Sequence, residues 1–194
     1  MKYLLGSVLA IALVPLAATA QPLTGGYVGL GVGAFDYKES DGAGGTIIDD
    51  TTTKWQGLGG YEFNDHFAVE GSWGKTGSVR GAVTQSFPGV GTVTLNVIEK
   101  YETYTLRAVG VLPLDKVKLL AGGGYYNSRL NITLRIEGMA GELSDNSTVD
   151  EGAMLLGGVQ VDLYRFSIRA EYEWFDAPRD VESSEVTVNV LFKF

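Results

Sequence analysis

From residue 25 onward, apolar side chains alternate with polar or small ones in eight stretches of roughly ten residues, and no stretch keeps a 3.6-residue apolar period. In "GGYVGLGVGAF", residues 25–35, Val28, Leu30, Val32 and Ala34 share one face and Gly29, Gly31, Gly33 and Phe35 the other. Trp55, Tyr61 and Phe63 then oppose Gln56, Gly60 and Glu62; beyond Asn64 and Asp65, Phe67, Val69 and Trp73 oppose Ala68, Glu70 and Ser72. "YTLRAVGVL" sets Leu106, Ala108 and Leu112 against Thr105 and Arg107, and turns at Pro113 to Asp115. There follow Val117, Leu119, Ala121 and Tyr125 against Lys118, Gly122, Gly124 and Tyr126. Ala153, Leu155, Val159, Val161 and Leu163 oppose Gly158, Gln160 and Asp162. After a tight turn at Tyr164 and Arg165, Phe166, Ile168, Ala170, Tyr172 and Trp174 oppose Ser167, Arg169, Glu171 and Glu173. The chain closes on "EVTVNVLFKF", with Val186, Val188, Val190, Phe192 and Phe194 on one face.

The connections alternate in length. Those after the second, fourth and sixth stretches are short, whereas segments near residues 38–53, 75–100, 127–150 and 176–184 are long and rich in Gly, Ser, Thr and Asp, so the long loops gather at one end. The pattern predicts an all-β fold, an eight-stranded antiparallel up-and-down barrel. Period two is equally compatible with a soluble barrel whose apolar face points inward. Four features favour a transmembrane barrel with the apolar face on lipid. The strands have the length of a tilted membrane-crossing strand, their number is even, and short and long connections are segregated. Aromatics also stand near the ends of the apolar face: Tyr61, Phe63, Phe67, Trp73, Tyr172, Trp174, Phe192 and Phe194. The polar face carries Glu70, Arg107, Asp162, Arg169, Glu171 and Glu173 among glycines, which suits a narrow lumen filled by side chains.

The opening glycines are not a phosphate-binding loop, because such a loop sits between a strand and a helix, and "DYKESDGAGGTIIDD" after Phe35 has no helical period. They are read as spacers that leave room for long charged neighbours. Residues 1–20, "MKYLLGSVLAIALVPLAATA", form a cleaved signal peptide: one Lys, an apolar run, and Ala18, Thr19 and Ala20 as the cleavage pattern. Residues 21–194 are the barrel domain. Cysteine is absent, so no disulfide framework stabilises the exported fold. A formal charge of -8 makes nucleic acid an unsuitable partner.

The segments "GGYVGLGVGAF", "GLGGYEFNDHFAVEGSW", "YTLRAVGVLPL" and "FSIRAEYEWF", with the terminal alternation ending in Phe194, resemble the small eight-stranded outer-membrane barrels similar to the transmembrane domain of outer-membrane protein A. The resemblance covers essentially the whole of 21–194. It implies the outer membrane of a Gram-negative bacterium and a terminal strand, with Phe192 and Phe194, read by the outer-membrane insertion machinery. It also implies an ion pair between Glu70 and Arg169, with Arg107 as alternative partner for Glu70; Glu171, on the same polar face, is a further lumen candidate.

The only histidine, His66, falls in a short turn away from the outer leaflet, which leaves a serine hydrolase without a placed base, and no catalytic residue, metal ligand or cofactor is assigned. Asp49 and Asp50 lack the spacing and glycine turn of a calcium loop. "NIT" at Asn131 and "NST" at Asn146 match a glycosylation pattern that a bacterial barrel does not use. The expected function is a monomeric, non-enzymatic surface barrel. Its partners are outer-membrane lipid, lipopolysaccharide and a surface or host ligand at the loops. The alternative is a narrow channel gated by the lumen salt bridges.

Overall fold

The computed structural model describes residues 25–40, 46–87, 91–136, 144–176 and 181–194; the expected signal segment lies outside them. The described chain is strand throughout apart from tight turns: β1 Gly25–Ser40, β2 Thr46–Asn64, β3 Phe67–Thr76, β4 Val79–Phe87, β5 Gly91–Leu114, β6 Val117–Ile136, β7 Ser144–Leu163, β8 Phe166–Phe175 and β9 Val181–Lys193. Neighbours in sequence pair antiparallel except β3 and β4, which both pair with β5, and β9 pairs with β1 to close the ring.

The wall has eight strands. β4 prolongs β3: Lys75 pairs with Glu102 and Val79 with Glu99, so both lie along β5 with a one-residue slip at the break. Following paired residues around the ring from Tyr27 through Gly60, Glu70, Arg107, Gly124, Met154, Phe175 and Ser183 returns to β1 at Tyr37, ten residues farther up. With ordinary strand spacing and rise, that stagger tilts the strands by about 40°.

The segments expected as loops are largely strand. β5 has 24 residues and β6 and β7 have 20 each, about twice what a tilted crossing needs. Sequences such as "TVTLNVIEKYETY" and "NITLRI" keep the β-branched alternation that sustains pairing without lipid. The hairpins therefore stand beyond the bilayer as ordered sheet. At the other end the connections are two residues long: Asp65–His66, Asp115–Lys116 and Tyr164–Arg165. Pro113, expected in a turn, is in the ladder opposite Lys118. Val111 N–H donates to His66 O on the β3 side; Pro113, two residues on, faces the same side past the end of β3, where its missing N–H is not needed.

Facing follows the alternation. Val28, Leu30, Leu106, Leu155 and Val190 are exposed on the outside, where lipid lies. Near the short turns, the Phe63 ring packs at 5.0 Å from Tyr61 and 5.8 Å from Phe67, and Phe166 at 5.3 Å from Phe192. A second outward belt holds Trp55, Trp73, Tyr104, Tyr125, Tyr172 and Trp174. The opening glycines make room for other residues than expected. A Cβ at Gly29 would strike Leu191, at Gly31 Asn189, and at Gly33 the β9 backbone. Space for the charged side chains is provided by Gly60 beside Glu70, Gly74 beside Lys54, Gly124 beside Arg107 and Gly158 beside Glu171.

Candidate functional site

The lumen carries three tiers of buried charged side chains. At the short-turn end, Lys193 Nζ lies 3.0 Å from Glu62 Oε1 and 3.3 Å from Asp162 Oδ2, and Lys118 Nζ lies 3.0 Å from Asp162 Oδ2. Ser167 Oγ, at 2.7 Å, also donates to Asp162. This inner tier joins β2, β6, β7, β8 and β9.

The middle tier is built on Glu70 of β3. Its Oε1 accepts from the Tyr27 hydroxyl and from Arg169 Nη1 at 2.5 Å, and its Oε2 lies 2.7 Å from Arg107 Nη2. Arg107 is thus no alternative to Arg169; both hold Glu70 at once, one on each oxygen. Glu171 answers both guanidiniums, 2.9 Å from Arg107 Nη2 and 3.3 Å from Arg169 Nη1. Gln160 Oε1 accepts from Arg169 Nε at 2.8 Å, and Asn189 Nδ2 donates to Glu171 Oε2 at 2.9 Å. Glu70, Arg107, Arg169 and Glu171 are each 1–2 % exposed.

The outer tier sets Lys54 against Glu185 and carries Arg107 Nη1 on to Glu173. Over it lies an apolar layer in which the Phe35, Tyr37 and Tyr101 rings pack at 5.1–6.4 Å and Tyr126 meets Phe175 at 5.2 Å. Lys54, Glu185 and Lys193 were not singled out from the sequence. The signal was present: each falls on the inward phase of its strand, as Lys193 does between Phe192 and Phe194.

The other sequence candidates separate from this network. Tyr61, Phe67, Trp73, Tyr172 and Trp174 face outward in the two belts, and Phe194 is exposed beyond β9. His66 sits in its turn with Nδ1 3.3 Å from Val111 O. Asp50 accepts the backbone N–H groups of Thr51 and Arg80 at 2.9 and 3.0 Å, tying β2 to β4. Among the described residues no group of three or more His, Cys, Asp or Glu is arranged to hold a metal ion.

The rim above the outer belt is electrically two-sided. Lys75, Arg80, Lys100 and Arg129 are exposed on β3, β4, β5 and β6, with Lys75 Nζ 5.3 Å from the Trp73 ring centroid. On the side of β1, β2, β8 and β9, Asp36, Lys38, Asp49, Asp50, Asp176 and Glu182 line a groove of about 580 Å³ with Tyr172 and Trp174.

A closed, staggered eight-stranded barrel with an apolar exterior, two aromatic belts and a filled polar interior defines an integral membrane protein of the outer-membrane type. The chain belongs to the outer membrane protein beta-barrel domain family, whose pattern matches residues 6–194, and it is a protein of the bacterial outer membrane. It is similar in structure to Neisserial surface protein A, at TM-score 0.60 and 17% identity over 90% of this chain and 100% of that one. It is also similar to the attachment invasion locus protein Ail of Yersinia pestis, at TM-score 0.56 and 18% identity over 89% and 100%. OprG of Pseudomonas aeruginosa gives TM-score 0.53 and 13% identity over 88% and 96%. No curated protein sequence is a significant match.

Proposed function

We propose that the protein is a non-conducting, non-enzymatic pedestal that holds rigid β-hairpins at the cell surface for contact with anionic saccharide. The observation that carries this reading is the continuation of β5, β6 and β7 past the outer aromatic belt. Sheet that no membrane requires is retained outside it, which favours a recognition surface over a pore rim. The exposed cations Lys75, Arg80, Lys100 and Arg129 give that surface its chemistry. Phosphates at the lipopolysaccharide headgroup level would meet them just above the Trp73 belt, while the acidic groove on the other side would repel the same groups. Ail was solved with the heparin analogue sucrose octasulfate, a polyanion for which the same four cations would be the receiving groups here.

The charged tiers act in this reading as static locks that tie opposite walls together. The channel alternative loses ground because guanidiniums, carboxylates and the aromatic layer occupy the lumen together. Export through residues 1–20, insertion guided by Phe192 and Phe194, and a monomeric state complete the proposal. The test is the binding of lipopolysaccharide and of sucrose octasulfate to the refolded barrel. Replacing Lys75, Lys100 and Arg129 together by Gln should weaken binding at least tenfold without altering the fold. Unchanged binding would remove the basic rim from function.

A further inference from the structure

We propose that the outer tier binds one positive charge, a proton or a monovalent metal ion, between the carboxylates of Glu173 and Glu185. The two residues are direct partners across β8 and β9 on the inner face, a placement in which like charges repel. Both are buried, at 0% and 1% exposed. Each carboxylate has one oxygen engaged, by Arg107 for Glu173 and by Lys54 for Glu185. The remaining oxygens, Glu173 Oε2 and Glu185 Oε1, have no hydrogen-bond partner.

The charge balance of the tiers points the same way. In the inner tier Lys118 and Lys193 answer Glu62 and Asp162, and in the middle tier Arg107 and Arg169 answer Glu70 and Glu171. In the outer tier Lys54 pairs with Glu185, and Glu173 shares Arg107 with the middle tier, so the three tiers together hold one carboxylate more than they hold cations. Beyond the pair, the direct neighbours on the inner face are Leu156 of β7 and Phe35 of β1, so apolar walls enclose the excess charge. The charged groups facing the pair are Arg107 from β5, Lys54 from β2 and Glu171 from β8 itself. A buried carboxylate oxygen without a partner is costly, and an uncompensated buried charge more so. One bridging positive charge removes both costs. A calcium ion does not suit the site, because it takes at least about six oxygen ligands. Besides the two carboxylate oxygens, only Gln56 Oε1 is buried and unpartnered among the described side chains.

The two sources of the charge are told apart by unfolding the lipid-reconstituted barrel across a pH series, in sodium chloride and in the chloride of a bulky organic cation. A proton held by the folded pair is withdrawn as pH rises, so the unfolding midpoint falls by at least ~3 °C toward alkaline pH in either salt. A bound metal ion instead makes the midpoint fall when sodium is replaced at constant pH. Whichever dependence appears should vanish in Glu185→Gln, where the excess charge is gone and the new amide can donate to the bare oxygen of Glu173. Should that variant not refold, Glu173→Gln keeps the Lys54–Glu185 pair and makes the same comparison. A wild-type midpoint that responds to pH and cation no more than the variant's overturns the proposal.

Discussion

Arg169 Nη1 lies 2.5 Å from Glu70 Oε1, and this contact spans the lumen from β8 to β3. Arg107, by contrast, is the direct cross-strand partner of Glu70 on β5. One carboxylate therefore ties the two halves of the barrel together while serving its own neighbour. Removing it leaves two buried guanidiniums with Glu171 as their common partner. Removing Arg169 leaves Glu70 still bound to Arg107. Glu70→Ala should thus destabilise the barrel by about 3–5 kcal/mol, and Arg169→Ala by less. Urea unfolding followed by heat-dependent gel mobility checks the order, and an equal or reversed ranking would show that the bridge is not the central tie.

Conductance gives an independent reading of the filled lumen. Wild-type barrel in a planar bilayer should show no discrete openings. Neither should Arg169→Ala, because the inner tier at Lys193 and the aromatic layer at Tyr101 are left in place. Openings in the wild type would restore the gated channel.

Glycines on opposite faces should behave oppositely. A Cβ at Gly31 would collide with Asn189, whose amide holds Glu171; Gly31→Val should therefore block the closure of β1 on β9 and leave the protein unable to refold. Gly57 faces outward, with nothing nearer than Leu30 Cδ2 at 3.9 Å, and Gly57→Ala should refold with wild-type yield. Refolding yields measured side by side decide this, and equal tolerance at both sites would contradict the close approach of β1 and β9.

Val159 is 44% exposed on the lipid face, midway along β7 between Leu163, opposite Phe166, and Leu155, opposite Trp174. Val159→Arg should cost about 2–4 kcal/mol near the bilayer midplane. The same charge placed at Val149, out on the projecting part of β7, should cost nothing measurable. Reversible unfolding in lipid vesicles compares the two, and equal effects would place the membrane boundary elsewhere.

Much of this architecture is legible in the primary structure because a strand's two faces are fixed by parity. Once Val28 and Leu30 are taken as lipid-facing, Gly29 and Gly31 must face inward, and the same rule sorts Glu70, Arg107, Arg169 and Glu171 into the lumen. Parity does not say which inward residues meet. That depends on the ten-residue stagger of the closed ring, which decides that Lys54 reaches Glu185, that Lys193 reaches Glu62, and that Gly31 makes way for Asn189. Strand ends were equally hidden, since Gly, Ser, Thr and Asp read as loop while cross-strand pairing holds the same residues in sheet. The chain by itself determined the barrel, its lipid face and the residues of its interior, because those follow from local alternation. Only tertiary closure decided which charges pair, which two carboxylates are left facing each other and how far the hairpins stand above the membrane, because those depend on register between strands distant in sequence.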